Sequence, residues 1–257
     1  MSKNSPEAAS GNANAPTKVL LVSQAPGLGG GERVVLGPIA RTGLDVTVAA
    51  WPEVAEFSRG LGLASIDMPL PFIKGVSQMS ALIRGGRRIA RTARELEAAV
   101  LYANGSRAIT YCLAASRFGA PPLLLHHHGF LGKGPVGLFR AGVKRWASSV
   151  LAPSRFVAND LDVPGRTTVI PYGIDLTRFA PSKESSPAKR SFGLDPGSFV
   201  MGYVMRAAPG KGIEDFLATI PLLQSRFPQM QFLLAGGPLF EDDRAYFNEI
   251  SSRAASV

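Results

Sequence analysis

The sequence has 257 residues, 46% hydrophobic and 18% charged, which is enough apolar content to bury one large α/β domain or two modest ones and too much for a wholly disordered chain. The single cysteine, Cys112, excludes an intrachain disulfide and a cysteine-based metal site, and no run of 18 apolar residues offers a membrane-spanning helix. A net charge of +9 favours anionic partners without choosing among nucleotide sugars, acidic lipid headgroups and nucleic acid.

Residues 1–16 are small and polar, lack the apolar middle of a secretory signal, and read as a disordered leader. Together with the lone cysteine this fits a cytoplasmic chain. Lys18–Ser23 is an apolar run of strand length, followed by the glycine-rich loop Gly27-Leu28-Gly29-Gly30-Gly31, helical character over Glu32–Thr42 and a second strand over Asp45–Ala50. Glycines between a strand and a helix let backbone N–H groups approach a phosphate. The loop is not the dinucleotide fingerprint, because Glu32 stands where its third glycine belongs. Two readings stand for it: a phosphate cradle, or a tight turn without a ligand.

Arg84, Arg87, Arg88, Arg91 and Arg94 recur at spacings of three and four, which on a helix gives one basic stripe, although Gly85-Gly86 weakens helix formation there. Such a stripe suits an anionic membrane surface and equally a solvated face. Further on, Ala98–Ala103 reads as a strand and Ser106–Phe118 as a helix ended by Gly119. Leu123-Leu124-Leu125 forms a buried strand that runs into His126-His127-His128-Gly129. In open α/β sheets ligands gather at the carboxyl edge of the strands. One of these imidazoles there could orient a substrate hydroxyl, while strand alternation turns neighbouring histidines to opposite faces and leaves at least one structural. The same alternation weakens any metal site, since these are the only histidines in the chain. Gly137–Trp146 reads as a helix, Ser149–Ala152 as a strand, Ser154 as the cap of a helix to Leu161, and Thr167–Ile170 as a further strand. Asp160-Leu161-Asp162 has the look of a metal-binding pair but sits away from the glycine loops and is discounted.

This alternation predicts a doubly wound α/β domain over residues 17–180. Residues 181–196 are rich in Ser, Lys and Pro and read as a linker. A second unit then opens over 197–257: a strand over Phe199–Val204, a loop over Met205–Gly212 carrying Arg206 and Lys211, a helix over Ile213–Phe227, a strand over Gln231–Ala235 and a helix over Asp242–Arg253. The loop is no nucleoside-triphosphatase phosphate loop, since Met205 stands at the first glycine position and Gly212 where Ser or Thr belongs. Its guanidinium and ammonium could grip a diphosphate, or be two solvated cations. Two strands do not make an independent sheet, so the expectation is that the second domain is incomplete here.

Four stretches together resemble family 4 glycosyltransferases, a retaining group of GT-B fold. They are Val19–Val22 with Gly29-Gly30-Gly31-Glu32-Arg33-Val34; Leu123–Gly129; Val169-Ile170-Pro171-Tyr172-Gly173-Ile174-Asp175 with Phe179; and Gly202–Arg206 with Lys211-Gly212 and Phe232–Pro238. The resemblance implies two Rossmann-like domains, an acceptor-side domain first and a donor-binding one second. It also implies that Arg206 and Lys211 hold the donor diphosphate, with Gly30 and Gly31 near the same phosphates and His128 beside the transferring sugar. The partners it implies are a nucleotide sugar and a glycan, lipid or small-molecule acceptor, with no cofactor and no metal. Three departures stand out: Tyr172 replaces the family's usual Asn, Met205 replaces a frequent Gly, and the family's later Glu-x7-Glu segment has no counterpart. Rival readings are a GT-B sugar-nucleotide epimerase, a non-catalytic module on a membrane surface and, more distantly, a nucleic-acid binder, for which no signature is visible.

Overall fold

The computed structural model describes residues 16–73, 75–129, 136–181 and 186–256. They form two compact units divided between Gly173 and Ile174. The expected leader lies almost wholly outside the described residues.

The first unit is a seven-stranded, all-parallel sheet. Its strands are β1 (Lys18–Ser23), β2 (Asp45–Ala50), β3 (Ala64–Asp67), β4 (Val100–Asn104), β5 (Leu123–His126), β6 (Ala147–Ala152) and β7 (Thr167–Val169), in the order β3-β2-β1-β4-β5-β6-β7. The helices are α1 (Gly30–Ile39), α2 (Pro52–Gly60), α3 (Met79–Glu95), α4 (Gly105–Ala115), α5 (Val136–Trp146) and α6 (Arg155–Leu161). β1 is apolar on both faces because both are covered. Val19 and Leu21 pack with Val35 and Leu36 of α1 and Val54 of α2, whereas Leu20 and Val22 face Ile89 of α3 and Ile109 and Cys112 of α4. The chain winds outward from β1 to β3, returns to β4 on the other side of β1, and winds outward again. The β1/β4 boundary is therefore the topological switch point, where the carboxyl ends of two neighbouring strands open a crevice.

α3 runs unbroken through Gly85-Gly86, where the sequence suggested weakness. Both glycines are buried against α4: a Cβ on Gly85 would stand 2.5 Å from the Tyr111 ring, and one on Gly86 2.9 Å from Ala114 Cβ and 3.0 Å from its backbone carbon. Close helix approach, not chain breaking, is what these glycines serve. The five stripe arginines are exposed on the opposite side of the helix. Ser154 caps α6 as expected, its hydroxyl accepting from Val157 N–H at 3.2 Å. Asp160 and Asp162 do not pair as metal ligands. Asp160 faces Arg140 and His127, and Asp162 binds Lys144.

The second unit has a two-stranded parallel sheet, β8 (Val200–Arg206) and β9 (Gln231–Gly237), with α7 (Ser186–Ser191), α8 (Ile213–Arg226) and α9 (Arg244–Ala254). Ile213, Phe216, Leu217 and Ile220 of α8 pack with Ile250 of α9 against Met201, Tyr203, Met205, Phe232 and Leu234 on one sheet face. On the other face Val204 is 81% exposed. α7 lies within the stretch read as a linker, and Lys189 ties it down by donating to the carbonyls of Pro196 and Ser198 at 3.1 and 2.7 Å. β8 also extends two residues past its predicted end. Met205 packs into the core, and Arg206 pairs in register with Gly237, so Arg206 ends a strand instead of lying in the loop. The predicted helix over Asp242–Arg253 opens as a 3-10 turn over Glu241–Asp243 before α9 begins.

Candidate functional site

The carboxyl ends of β1, β4 and β5 deliver Ser23, Asn104 and the His126–His128 segment to the switch point, and the N-terminus of α1 meets them there. Gly29 is the helix N-cap, so Gly30 and Gly31 are its first two residues, with exposed or half-exposed backbone. The Glu32 side chain folds back to accept from Gly29 N–H at 3.1 Å, and its other oxygen accepts from the Ser23 hydroxyl at 3.2 Å. The residue that breaks the dinucleotide pattern is thus a buried anchor of the loop.

The three histidines separate as alternation requires. His127 turns to the far side, where Nε2 lies 3.5 Å from the Asp160 carboxylate. His126 and His128 share one side, their ring centroids 4.2 Å apart. His126 Nδ1 meets the Tyr102 hydroxyl at 2.6 Å. His128 sits against Gly31 and Gly105, whose added Cβ atoms would stand 3.6 and 3.7 Å from its Cδ2. Gly105 has φ +82°, a conformation that favours glycine, so the chain turns from β4 into α4 beside the imidazole without a side chain in the way.

Both nitrogens of His128 are engaged: Nε2 lies 2.6 Å from Asn104 Oδ1, and Nδ1 lies 2.5 Å from the Tyr172 hydroxyl. Asn104 Nδ2 in turn donates to Ser23 Oγ at 3.3 Å. Asn104 occupies the N-cap of α4, where an asparagine ordinarily accepts from the helix's own N–H groups. Its side chain makes no cap and is turned to Ser23 and His128 instead. Burial holds His128 down to about 3 and His126 down to about 4, so both imidazoles are neutral at physiological pH. Asn104 and Tyr172 were not singled out as site residues in the sequence. The available signal was Asn104-Gly105 at the carboxyl end of a strand, and for Tyr172 its departure from the family pattern.

In the second unit, Arg206 ends β8 and Lys211 lies exposed in the turn before α8. Arg206 is held by Asp243 through two contacts, Nε to Oδ2 at 3.1 Å and Nη2 to Oδ1 at 3.3 Å, and stacks over Phe240 at 4.7 Å. Asp243 is buried and also accepts from the N–H groups of Leu239 and Phe240. The Lys211 carbonyl accepts from the Tyr203 hydroxyl. The first turn of α8 carries Glu214 and Asp215, which already complement the helix dipole, so an anion arriving there would have to rely on Arg206 and Lys211. Among the described residues no group of three or more His, Cys, Asp or Glu is placed to hold a metal, and no helix is long and apolar enough to cross a membrane.

The family model described as Glycosyltransferase Family 4 matches residues 29–178, more than half of the chain. The chain belongs to glycosyltransferase family 4. That match spans the first-unit site from Gly29 through His128 to Tyr172 and stops short of Arg206 and Lys211. Among curated relatives, this family 4 chain is similar to the lipopolysaccharide core biosynthesis mannosyltransferase LpsB of Rhizobium meliloti, at 34% identity over 116 residues, 44% of this chain and 31% of that one. It is also similar to the D-inositol 3-phosphate glycosyltransferase of Rhodococcus erythropolis, at 39% over 77 residues, 29% of this chain and 17% of that one. Among solved structures, HepE of Anabaena in complex with UDP and glucose superposes with a TM-score of 0.75 at 21% identity, covering 93% of this chain and 66% of that one. At that identity the likeness shows the fold, which is GT-B. The chain thus spans just under two thirds of HepE, and its matches span less than a third of the curated relatives.

Proposed function

We propose that this protein transfers a hexose from a nucleoside-diphosphate donor to a glycan, lipid or small-molecule acceptor, with retention of anomeric configuration. The observation that carries the reading is the neutral His128 at the switch point of a family 4 fold, held by Asn104 and Tyr172 beside the N-terminus of α1. In this reading residues 17–180 form the acceptor-side domain and residues 197–257 belong to the donor-binding domain. HepE holds UDP, and LpsB is a mannosyltransferase, so UDP- and GDP-sugars are the first donors to try.

Transfer from such a donor builds negative charge on the leaving diphosphate, and pre-placed donors and cations stabilise it. Arg206 and Lys211 supply those cations. The buried Asp243 keeps the guanidinium oriented, so that ordering it costs little when the phosphate arrives. The first-turn N–H groups of Gly30 and Gly31 approach phosphate through the backbone. His128 stands beside the sugar as a neutral imidazole whose two nitrogens are already held by Asn104 and Tyr172, so it shapes the site through its ring and adds no charge to it. The scheme calls for neither a metal nor another cofactor.

The test is release of nucleoside diphosphate from a panel of UDP- and GDP-sugars. The wild-type protein consumes at least one, and the double variant R206A/K211A consumes none. Equal turnover by the two proteins refutes the role of the cations. An isomerised sugar nucleotide formed without any acceptor would replace the transferase reading with an epimerase one.

A second part of the proposal concerns location. The outer face of α3 carries Arg84, Arg87, Arg88, Arg91 and Arg94, all exposed, with Val76, Met79 and Ile83 exposed at and just before its start. Cations beside apolar side chains are what an anionic membrane surface attracts. We assign this face to such a surface, consistent with a cytoplasmic protein that is peripheral at the membrane.

A further inference from the structure

We infer that Tyr172 is a positioning residue for His128, fixing which nitrogen of the imidazole carries the proton and how the ring is turned. The inference rests on the reading of His128 as the group beside the sugar, and its geometry stands apart from that reading.

The direction of each hydrogen bond in the chain of groups follows from donor and acceptor chemistry. Glu32 accepts at both oxygens, one from Gly29 N–H and one from the Ser23 hydroxyl. With its proton directed at Glu32, Ser23 Oγ can only accept from the Asn104 amide nitrogen. That orientation leaves Asn104 Oδ1 facing His128 at 2.6 Å, and a carbonyl oxygen only accepts, so Nε2 carries the proton. A neutral imidazole has one N–H, so Nδ1 is an acceptor, and the Tyr172 hydroxyl at 2.5 Å donates to it.

Tyr172 thus closes a relay that begins at a buried carboxylate behind the glycine loop. Its ring lies tilted beside the imidazole, centroids 5.8 Å apart, and it is 41% exposed, so it is the outermost member of the relay. The Glu32, Ser23 and Asn104 links are buried or nearly so and come from α1, β1 and β4. Tyr172 comes from the segment after β7, so the last hydrogen bond also pins that segment over the histidine.

The experiment is long-range 1H–15N NMR of the imidazoles in this chain, which has three histidines, so His126 and His127 serve as internal references for an intact fold. The wild type shows His128 with Nε2 protonated and Nδ1 unprotonated across neutral pH. Y172F removes only the hydroxyl. Its Nδ1, no longer held by a donor, accepts protons more readily, and His128 titrates at least about one pH unit higher. N104D keeps the acceptor, adds a negative charge, and moves the titration further in the same direction. A Y172F protein with unchanged His126 and His127 signals and a His128 tautomer and titration matching the wild type overturns the inference. Turnover gives a separate readout. Y172F lowers kcat about five- to tenfold, the loss expected from one hydrogen bond between neutral groups, with the donor KM within about twofold. If H128A leaves turnover unchanged while Y172F still shifts the His128 titration, the role of His128 beside the sugar fails and the proton arrangement stands.

Discussion

His126 and His128 carry a consequence for stability as well as for chemistry. Burial lowers both, to about 4 and about 3, from an ordinary value of 6.5. Between these values the unfolded chain binds protons that the folded protein does not. Stability is therefore complete above about pH 6.5 and falls as the pH drops towards 4, by on the order of 2 kcal/mol per histidine at pH 5. Both tryptophans, Trp51 and Trp146, lie in the first unit, so urea unfolding followed by their fluorescence reports that unit. The prediction is that the difference in unfolding free energy between pH 7 and pH 5 shrinks by about 1–2 kcal/mol in H128N, whatever that substitution does to stability at pH 7. An unchanged difference would mean that His128 is not held neutral by burial. The histidine run itself was legible in the sequence from its place at a strand end. The relay around it was not, because Ser23, Asn104 and Tyr172 are separated by 81 and 68 residues, and only the sheet order β1-β4-β5 brings Asn104 to His128 and Ser23 to Asn104.

At the scale of elements, the paired glycines of α3 separate propensity from packing. Intrinsic propensity says that replacing a helical glycine by alanine stabilises by up to about 1 kcal/mol. Gly137, exposed near the start of α5 with nothing within 4 Å of an added Cβ, should follow that rule. Gly86 should reverse it. Its Cβ would meet Ala114 Cβ at 2.9 Å and the backbone of Ala114 and Ala115 at 3.0 and 3.1 Å, atoms that move only if α4 moves. We expect G86A to destabilise by about 1–3 kcal/mol, the range for overpacking, and G137A to stabilise by a few tenths of a kcal/mol or more. If G86A stabilises, the α3–α4 packing is looser than described. The same contrast explains what the sequence disclosed of the fold. β1, β2 and β5 were legible because each is a short apolar run beside glycine or proline. α2 and β3 went unread because Pro52–Gly60 and Ala64–Asp67 mix charged and apolar residues with no sustained period. The Gly85-Gly86 pair pointed the wrong way because local propensity does not register a neighbouring helix. Arg206 was placed in a loop because nothing in the residues Met205-Arg206 shows that β9 continues far enough to pair with them.

At the scale of the whole molecule, the charge is unevenly shared. Residues 174–257 hold nine Lys and Arg against nine Asp and Glu, so the entire excess of +9 resides in the first unit. Five of that unit's cations stand on one face of α3, and among the described residues the carboxylate paired with one of them is Glu95, 3.7 Å from Arg91. A solvated face needs no such concentration of one sign. An anionic surface does, since each cation near it contributes about 1 kcal/mol and the contributions fall away within a Debye length. We therefore expect the protein to sediment with vesicles containing anionic lipid at low ionic strength, to be released as salt rises, and to ignore vesicles of zwitterionic lipid. The variant R84Q/R88Q/R91Q should bind roughly a hundredfold more weakly, as expected from the loss of three such contributions. It leaves untouched Arg87, whose guanidinium lies 5.0 Å over the Phe118 ring and has a packing role besides its charge. Donor turnover in solution should be unchanged in that variant, because none of the three residues belongs to the His128 relay or to the Arg206–Asp243 pair. Equal vesicle binding by the variant and the wild type would reduce the stripe to a solvated face. Loss of both binding and turnover would show instead that α3 supports the fold of the site.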